Sequence, residues 1–327
     1  MRIVAAPDKF KGTASAQEVT TAISAAAASA GHTVDQVPMA DGGEGTLAAL
    51  GGPNRTSLVS GPLGSPVEAA WRYDKGTAVL EMAQSSGLVL AGGKEGNDPL
   101  AATTAGVGEL IDEAIDAGAK KIVIGVGGSA TTDGGLGAIE ALGSPTRVKG
   151  IEMLVACDVR TVFVEAAAVF GPQKGATPSQ VSLLTARLSS LIDTYKADYR
   201  IDIGQLPRGG AAGGLAGGLA AIGAQLVDGF DVVAEIVGLE NSIAGADLVI
   251  TGEGFLDEES FNGKVIGGVS SLAAEHGVPV LAVAGQVFDG AGDHIDAISL
   301  ADEFGLEAAM ANTTDCVTKA VAAHLAL

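Results

Sequence analysis

The two ends of the chain share a pattern that its middle lacks: a short apolar strand, a polar loop and an amphipathic helix that leads to another strand. At the front, residues 2–6 and 33–39 are the predicted strands, and the helix between them begins at the capping box of Ser15 and Glu18. At the back, the same rhythm predicts strands over 247–251, 279–284 and 295–300 and a helix over 265–275. Because a crossover helix joins strands that pair in parallel, both ends predict a parallel α/β sheet.

The middle of the chain has a different pattern. Residues 56–82 alternate apolar and polar positions, contain Gly-Pro and Ser-Pro turn pairs and show no helical stripe, which predicts antiparallel strands. Helical spacing then predicts a helix over 107–115, and apolar runs predict strands over 122–126 and 154–157. Residues 177–180 form a second capping box. The middle is therefore predicted to be mixed α/β.

These patterns define the predicted architecture. A chain of 327 residues suits two domains, and five parallel strands, two from the front and three from the back, suit a flavodoxin-like sheet. We expect an α/β fold of two domains. A discontinuous flavodoxin- or Rossmann-like parallel-sheet domain takes residues 1–60 and 240–327, and an inserted mixed α/β domain takes residues 61–239.

Composition excludes several classes of protein. The 48 glycines lie in clusters without a three-residue period, which excludes collagen and indicates many tight turns. The 19 basic and 39 acidic residues give a net charge of −20, so nucleic acid and anionic membrane surfaces are repelled and are not expected partners. A small anionic substrate remains compatible with this charge where a few lysines converge.

Cysteine content and hydropathy bear on the compartment. Cys157 and Cys316 are the two cysteines, which excludes a disulfide scaffold and fits a reducing, cytoplasmic setting. The start of the chain lacks the long apolar run of a signal peptide. Residues 209–227 are uncharged but include seven glycines and few large side chains. We expect them to form a glycine-rich loop leading into a buried helix, not a membrane span.

Ligands of open parallel sheets bind beyond the carboxyl ends of the strands, so the loops there are candidate sites. The loop after the first strand carries Asp8, Lys9 and Lys11 before a helix N-terminus, an arrangement that attracts anions. The loop after the second strand begins with Asp41, which could orient a hydroxyl or a metal, and continues with glycines that allow close approach of a ligand. The structural alternatives are solvated lysines and an Asp cap on a flexible turn.

A third loop, residues 127–135, follows the strand predicted over 122–126. It carries Gly128, Ser129 and Asp133, and together with Gly125 it contains a degenerate dinucleotide fingerprint. That signal is weak in a chain so rich in glycine, and it leaves a nicotinamide-dependent dehydrogenase as an alternative. A loop that wraps phosphates or a sugar acid is the simpler interpretation.

A fourth loop leaves the strand predicted over 247–251. It carries Glu253 and Asp257, and Lys264 stands at the start of the next helix. Mg²⁺ is usually held by one or two carboxylates together with phosphate oxygens, and a nearby lysine neutralises charge in phosphoryl transfer. The structural alternative is a capped helix with exposed acids.

Other residues complete the set of candidates. Asp158 lies past a strand end and is a candidate general base, whereas Cys157 has no nearby His and is interpreted as a packed thiol. Lys174 is another lysine in a turn. The histidines lack metal-ligand spacing, so zinc is not expected. The sequence contains neither the P-loop signature nor the protein-kinase signature set.

Five segments match one known family in order along nearly the whole chain. They are residues 6–12, 40–46, 127–135, 169–176 and 246–254. On these segments the chain resembles the bacterial glycerate kinases of type 1, which are glycerate 2-kinase-like. The resemblance implies ATP-dependent phosphorylation of D-glycerate to 2-phosphoglycerate, assisted by Mg²⁺, on a two-domain α/β fold.

The site hypothesis combines the loops with this resemblance. Lys9, Lys11 and Lys264 would hold phosphate or carboxylate oxygens. Asp41 and Asp158 would orient the hydroxyl and act as general base, and carboxylates of the fourth loop would hold Mg²⁺. The expected residues are Lys9, Asp41, Asp158 and Lys264 for catalysis; Asp8, Lys11, Gly42, Gly43, Glu44, Gly128, Ser129, Asp133 and Lys174 for substrate or nucleotide binding; and Glu253 and Asp257 for the metal.

The sequence also departs from the family pattern. The segment after Asp158 is shorter and reads Arg160-Thr161-Val162 where the family has an Asn-Pro-Leu loop, and Phe255 stands where the family has Arg. Glu259-Ser260 replaces a Gln-Thr pair, and Thr132 replaces an Asn. These differences leave open a kinase for another small hydroxy acid, or a catalytically weakened binding protein. The phosphorylated carbon, the nucleotide preference and the oligomeric state stay open.

Overall fold

The computed structural model describes residues 1–261, 264–288, 290–291 and 294–326. The chain divides into two compact units. The terminal unit comprises Met1–Asp41, Ala48–Leu50 and Phe230–Leu327, and the central unit comprises Gly42–Leu47 and Gly51–Gly229. The chain passes from one unit to the other at residues 41–42, 47–48, 50–51 and 229–230, whereas the predicted domain boundaries lie near residues 60 and 240. The front difference arises because Arg55–Ser60 pairs with Pro66–Asp74, a strand of the central unit. Independent folding of either part stays a prediction.

The strands and helices of the described residues are numbered in chain order. The strands are β1 (Arg2–Ala5), β2 (Thr33–Gln36), β3 (Arg55–Ser60), β4 (Pro66–Asp74), β5 (Thr77–Glu81), β6 (Lys121–Gly125), β7 (Glu152–Ala156), β8 (Gln225–Val227), β9 (Leu248–Leu256), β10 (Val280–Val287) and β11 (Asp296–Ser299). The helices are α1 (Ala16–Ser29), α2 (Thr46–Ala49), α3 (Ala83–Ser86), α4 (Gly93–Gly96), α5 (Ala105–Asp116), α6 (Leu136–Ala141), α7 (Ala166–Phe170), α8 (Pro178–Tyr199), α9 (Leu215–Ala221), α10 (Gly229–Val237), α11 (Leu239–Ile243), α12 (Val265–Glu275), α13 (Leu300–Phe304), α14 (Leu306–Ala311) and α15 (Thr313–Leu325).

The terminal unit is built on a parallel sheet of order β11-β10-β9-β1-β2. When its five strands are numbered 1 to 5 in chain order and the sheet is read from the β2 edge, the order is 2-1-3-4-5. This is the flavodoxin-like order. Helix α1 begins at the predicted capping box of Ser15 and Glu18. Its apolar face packs with α15 against one face of the sheet, where Ile3, Ile23 and Val317 are fully buried. The predicted flavodoxin-like sheet is confirmed.

The central unit is built on a sheet of order β3-β4-β5-β6-β7-β8. Its first three strands pair antiparallel, and β5 to β8 pair in parallel. Apolar side chains of the strands and of α5, including Trp71, Leu110 and Ile124, form its main core. Helix α8 begins at the predicted capping box of Thr177 and Gln180. The predicted mixed α/β character of the middle is confirmed.

The segment 209–227 contains a short helix and a strand. Helix α9 is buried along its whole length, and β8 follows it. Within the described ranges, no helix has both the length and the apolar character needed to cross a membrane.

Candidate active site

Three charged side chains meet at the carboxyl ends of β1 and β2 in the terminal unit. The backbone N–H of Asp8 donates to the carbonyl of Gly252 at 2.8 Å, which ties the loop after β1 to strand β9. The Lys9 ammonium lies 3.8 Å from Oδ1 of Asp8 and 3.9 Å from Oδ1 of Asp41. Lys9 therefore links the loop after β1 to the loop after β2, as expected for parallel strands that end at one edge.

Burial and neighbouring charges change the pKa values of the carboxyl groups at this edge of the sheet. Burial raises the pKa of Asp8 to about 7; Lys9 opposes the rise, and Asp41 and Glu253 add to it. Burial also raises the pKa of Glu253, with Ser260 and Lys264 opposing, and Asp257 and Asp41 adding. Glu253 was predicted to lie in a loop after residue 251, but β9 continues to Leu256, so this carboxylate belongs to the strand. It acts electrostatically on the acidic residues of the first and second loops.

One of the predicted metal ligands, Glu253, has a buried oxygen that is suited to bind a divalent cation. Oε1 of Glu253 is buried and has no hydrogen-bond partner in the described part of the chain. Oδ1 of Asp257 accepts from the backbone N–H of Ser260 at 3.0 Å and from its hydroxyl at 3.2 Å. The described residues contain no group of three or more His, Cys, Asp and Glu side chains arranged to hold a metal. Fewer protein ligands are what Mg²⁺ uses when phosphate oxygens and water complete its shell.

The remaining lysines of this edge differ in their surroundings. Lys264 is the N-cap residue of α12, where free backbone N–H groups favour an anion. Its charge acts on Glu253. Lys11 is exposed in the loop that precedes α1. Their roles in binding phosphate or carboxylate stay predictions.

In the central unit, the loop that begins at Gly42 lies against the ends of β6 and β7. The N–H of Val126 donates to the carbonyl of Gly42 at 3.2 Å. Gly42 has a φ of 85°, and a Cβ on it would stand 2.9 Å from the Ala156 carbonyl carbon. A Cβ on Gly127 would stand 2.8 Å from Cα of Gly43. Only glycine permits these backbone contacts, so the second and third candidate loops meet at one edge of this sheet.

Glu81 holds this loop and was missed by the sequence analysis. Its buried Oε1 accepts from the backbone N–H groups of Gly45, at 3.0 Å, and Leu47, at 2.7 Å. Burial raises the pKa of Glu81, and the two N–H donors oppose that rise. The one available signal was an acidic residue at the end of the otherwise apolar run Ala78–Leu80. Glu44, also predicted to bind a ligand, is exposed in the same loop.

Asp133 and Lys174 support the third loop from inside. The Asp133 carboxylate accepts from the N–H and the hydroxyl of Thr104, both at 2.8 Å. The Lys174 ammonium is buried and donates to the carbonyl of Thr131 at 2.6 Å. Burial lowers the pKa of Lys174 to about 7, with Asp133 opposing. Both side chains thus bond to the protein itself, and their direct contact with a ligand stays a prediction.

The third loop presents its backbone outward at Gly128. Gly128 is exposed with a φ of 71°, and its carbonyl accepts from the N–H of Leu88 at 2.8 Å. Ser129 is half-buried and forms a β-bridge with Gly87. The segment after β6 reaches its next helix, α6, only at Leu136. A dinucleotide fingerprint beginning at Gly125 requires a helix inside the motif, so the geometry does not favour the dehydrogenase alternative.

The end of β7 carries Asp158 and a second residue that the sequence analysis missed. Asp158 is exposed directly after Cys157. The guanidinium of Arg208 donates to the carbonyl of Cys157 and lies 3.0 Å from Oδ2 of Asp228. Arg208 has a φ of 72°, a left-handed conformation that disfavours a side chain. No local pattern marks this arginine. Burial raises the pKa of Cys157 to about 11, so its thiol stays protonated. This agrees with the interpretation of Cys157 as a packed thiol.

Fold and sites together define a class. A flavodoxin-order sheet and a mixed α/β sheet both end in loops of Gly, Asp and Lys, which is typical of an α/β enzyme that handles small anions. The model of the glycerate kinase family matches residues 3–146 and 144–326.

Individual relatives agree with that match. A glycerate 2-kinase of Escherichia coli K12 is 39% identical, covering 89% of this chain and 87% of the relative. A glycerate kinase of Bacillus subtilis 168 is 39% identical, covering 88% of this chain and 85% of the relative. A crystal structure attributed to a glycerate kinase 2 of Salmonella typhimurium LT2 superposes with a TM-score of 0.86 at 36% identity, covering 100% of this chain and 97% of the other. The chain belongs to the glycerate kinase family, which confirms the resemblance.

Proposed function

We propose that this protein transfers the γ-phosphoryl group of ATP to D-glycerate and forms 2-phosphoglycerate, with Mg²⁺ as the assisting ion. The observation that carries the proposal is the arrangement of Lys9 between Asp8 and Asp41 at the carboxyl edge of a flavodoxin-order sheet. The names of the relatives give the reaction class, and the glycerate 2-kinase of Escherichia coli supports carbon 2 as the acceptor position.

Phosphoryl transfer depends mostly on positioning and on neutralising charge. Two carboxylates restrain the Lys9 ammonium, which would meet a phosphate or carboxylate oxygen with little loss of side-chain freedom. In the proposed reaction, the glycerate hydroxyl attacks the γ-phosphorus, the bond to the β–γ bridging oxygen breaks and ADP leaves. The hydroxyl proton passes to Asp41 or Asp158, the two candidate bases.

Glu253 and Asp257 are the residues that would hold Mg²⁺, directly or through water. When bound, the ion neutralises charge on the β- and γ-phosphates. The buried Oε1 of Glu253 without a partner is the feature that fits it. Lys264 at the start of α12 would contribute a second cation to the same phosphates.

A coupled ADP-release assay over D-glycerate, L-glycerate, glycolate and D-lactate tests this function, and phosphorus NMR of the product identifies the phosphorylated carbon. We expect ADP release with D-glycerate that depends on Mg²⁺. Turnover with a different hydroxy acid alone would correct the substrate. Tight D-glycerate binding without any ADP release would replace the kinase with a binding protein.

A further inference from the structure

Strands β9 and β10 extend beyond their neighbours at the carboxyl edge of the terminal sheet. β1 pairs with β9 only along 248–250, and β11 pairs with β10 only as far as Ala284. The pairing of β9 with β10 continues to Phe255, opposite Gln286, and to Leu256, opposite Val287. The ends of the two strands therefore form a two-stranded projection at the edge where ligands of such sheets bind.

Two phenylalanines lie together on this projection in contact with water. Phe255 and Phe288 are each 50% exposed. Their ring centroids are 6.2 Å apart, and the ring planes differ by 32°. Neither ring belongs to a hydrophobic core cluster formed by the described residues. Exposed aromatic pairs cost solvation free energy without adding to the core, which is typical of binding surfaces.

The pair lies beside the charged groups of the proposed phosphate site. Side chains two residues apart along a strand point to the same face, so Glu253 and Phe255 share one face of β9. The register places Gln286 beside Phe255, and Phe288 is two residues further along. Helix α12, which begins after Lys264, packs against β9, and the charge of Lys264 acts on Glu253. A ligand with a polyanionic end and an aromatic end would find both kinds of partner here.

We propose that Phe255 and Phe288 form a stacking platform for the purine base of the nucleotide co-substrate. The assignment rests on the proposed kinase function. Phenylalanine carries no charge or hydrogen-bonding group and so cannot hold the phosphates or the glycerate carboxylate. Its π-face suits a nucleobase instead. The 6.2 Å between centroids is too short to sandwich a base between the rings, so the base stacks on the outer surface of the pair.

Direct binding measurements with two probes test the platform. ATP carries the base, and inorganic tripolyphosphate carries only the charge. For Phe255→Ala and Phe288→Ala we expect ATP affinity to fall between about fivefold and a hundredfold, with unchanged tripolyphosphate affinity and an unchanged KM for D-glycerate. Phe255→Trp should restore ATP binding. Met310→Ala is the matched control, because Met310 is an apolar side chain of the same unit that is 57% exposed and lies on a different element, α14.

Several results would overturn the platform: unchanged ATP affinity, an equal loss for ATP and tripolyphosphate, or a loss confined to D-glycerate. A changed sedimentation coefficient with unchanged ATP affinity would assign the pair to a contact between copies of the chain. The two proposals fail separately. A protein that binds ATP on these rings but phosphorylates no hydroxy acid keeps the platform and loses the kinase function, whereas absence of ATP binding removes both.

Discussion

The carboxylate of Glu81 accepts a 2.7 Å hydrogen bond from the backbone N–H of Leu47, across 34 positions of the chain. A second bond, from Gly45, ends on the same oxygen. Two N–H groups of the glycine-rich loop are therefore satisfied by one buried side chain at the end of β5. The loop is therefore held to the end of β5 at Gly45 and Leu47.

Glu81→Ala should loosen this loop while Glu81→Gln should preserve it. Alanine leaves the N–H groups without an acceptor, at a cost of about 1–3 kcal/mol for each buried group, whereas glutamine keeps an acceptor oxygen in place. For the alanine variant we expect kcat/KM to fall on the order of tenfold or more, because a displaced loop positions the substrate less well. For the glutamine variant we expect near-normal kinetics. Steady-state kinetics alongside urea unfolding would show this. Equal behaviour of the two variants would contradict a positioning role.

Lys9→Ala should reduce turnover without unfolding the protein. Removing a restrained cation from a phosphoryl-transfer site costs on the order of a hundredfold in kcat. The control is Lys319→Ala, an exposed lysine on α15 of the same unit, which should leave kcat unchanged. Thermal unfolding would verify that both variants fold. A folded Lys9→Ala protein with full turnover would remove Lys9 from the site.

Local patterns predicted the elements of the fold because the physics behind them is local. The capping boxes at Ser15 and Thr177 mark the helix starts that the structure has. The strand rhythm of the two ends was enough to predict the flavodoxin-like sheet. The alternating pattern over residues 56–82 likewise predicted antiparallel strands, and β3 pairs antiparallel with β4. The pattern did not tell to which domain Arg55–Ser60 belongs, because that depends on its pairing with β4 and not on local composition.

The candidate site was predictable by residue type but not by side-chain direction. Asp133 and Lys174 stand in loops of the expected composition, yet both bond to the protein backbone. A sequence pattern does not tell which side of a loop a side chain faces. Glu81 and Arg208 were missed for a related reason: their partners lie 34 and 51 positions away along the chain.

Arg208→Gly should separate a functional role of the guanidinium from backbone strain. Glycine accepts the 72° φ of this position, so the strain of about 1 kcal/mol is relieved. That gain offsets part of the lost ion pair with Asp228. We expect kcat to fall about tenfold or more, because the end of β7 beside Asp158 loses the hydrogen bond from the Arg208 guanidinium to the Cys157 carbonyl. Arg200→Gly is the matched control, because Arg200 also has a positive φ, of 64°, and is exposed at the end of α8.

The Arg200→Gly protein should gain about 1 kcal/mol in the free energy of unfolding and keep full activity. Denaturant melts and initial rates on both variants give the comparison. If Arg208→Gly retained wild-type kcat, the bonds of the Arg208 guanidinium to Cys157 and Asp228 would have no part in catalysis.

Lys174 should make the stability of the protein rise with pH in a defined window. Burial lowers the pKa of this lysine from 10.5 to about 7, so between these values the unfolded chain binds a proton that the folded protein does not. Stability therefore rises with pH across the window, with a contribution of up to ~1.4 kcal/mol per pH unit. The contribution is fully present above the unfolded pKa and is lost as pH falls toward 7. Urea unfolding at pH 7.5, 8.5 and 9.5 should show a shallower slope for Lys174→Met than for the unchanged protein. Parallel slopes would mean that Lys174 stays charged in the folded protein.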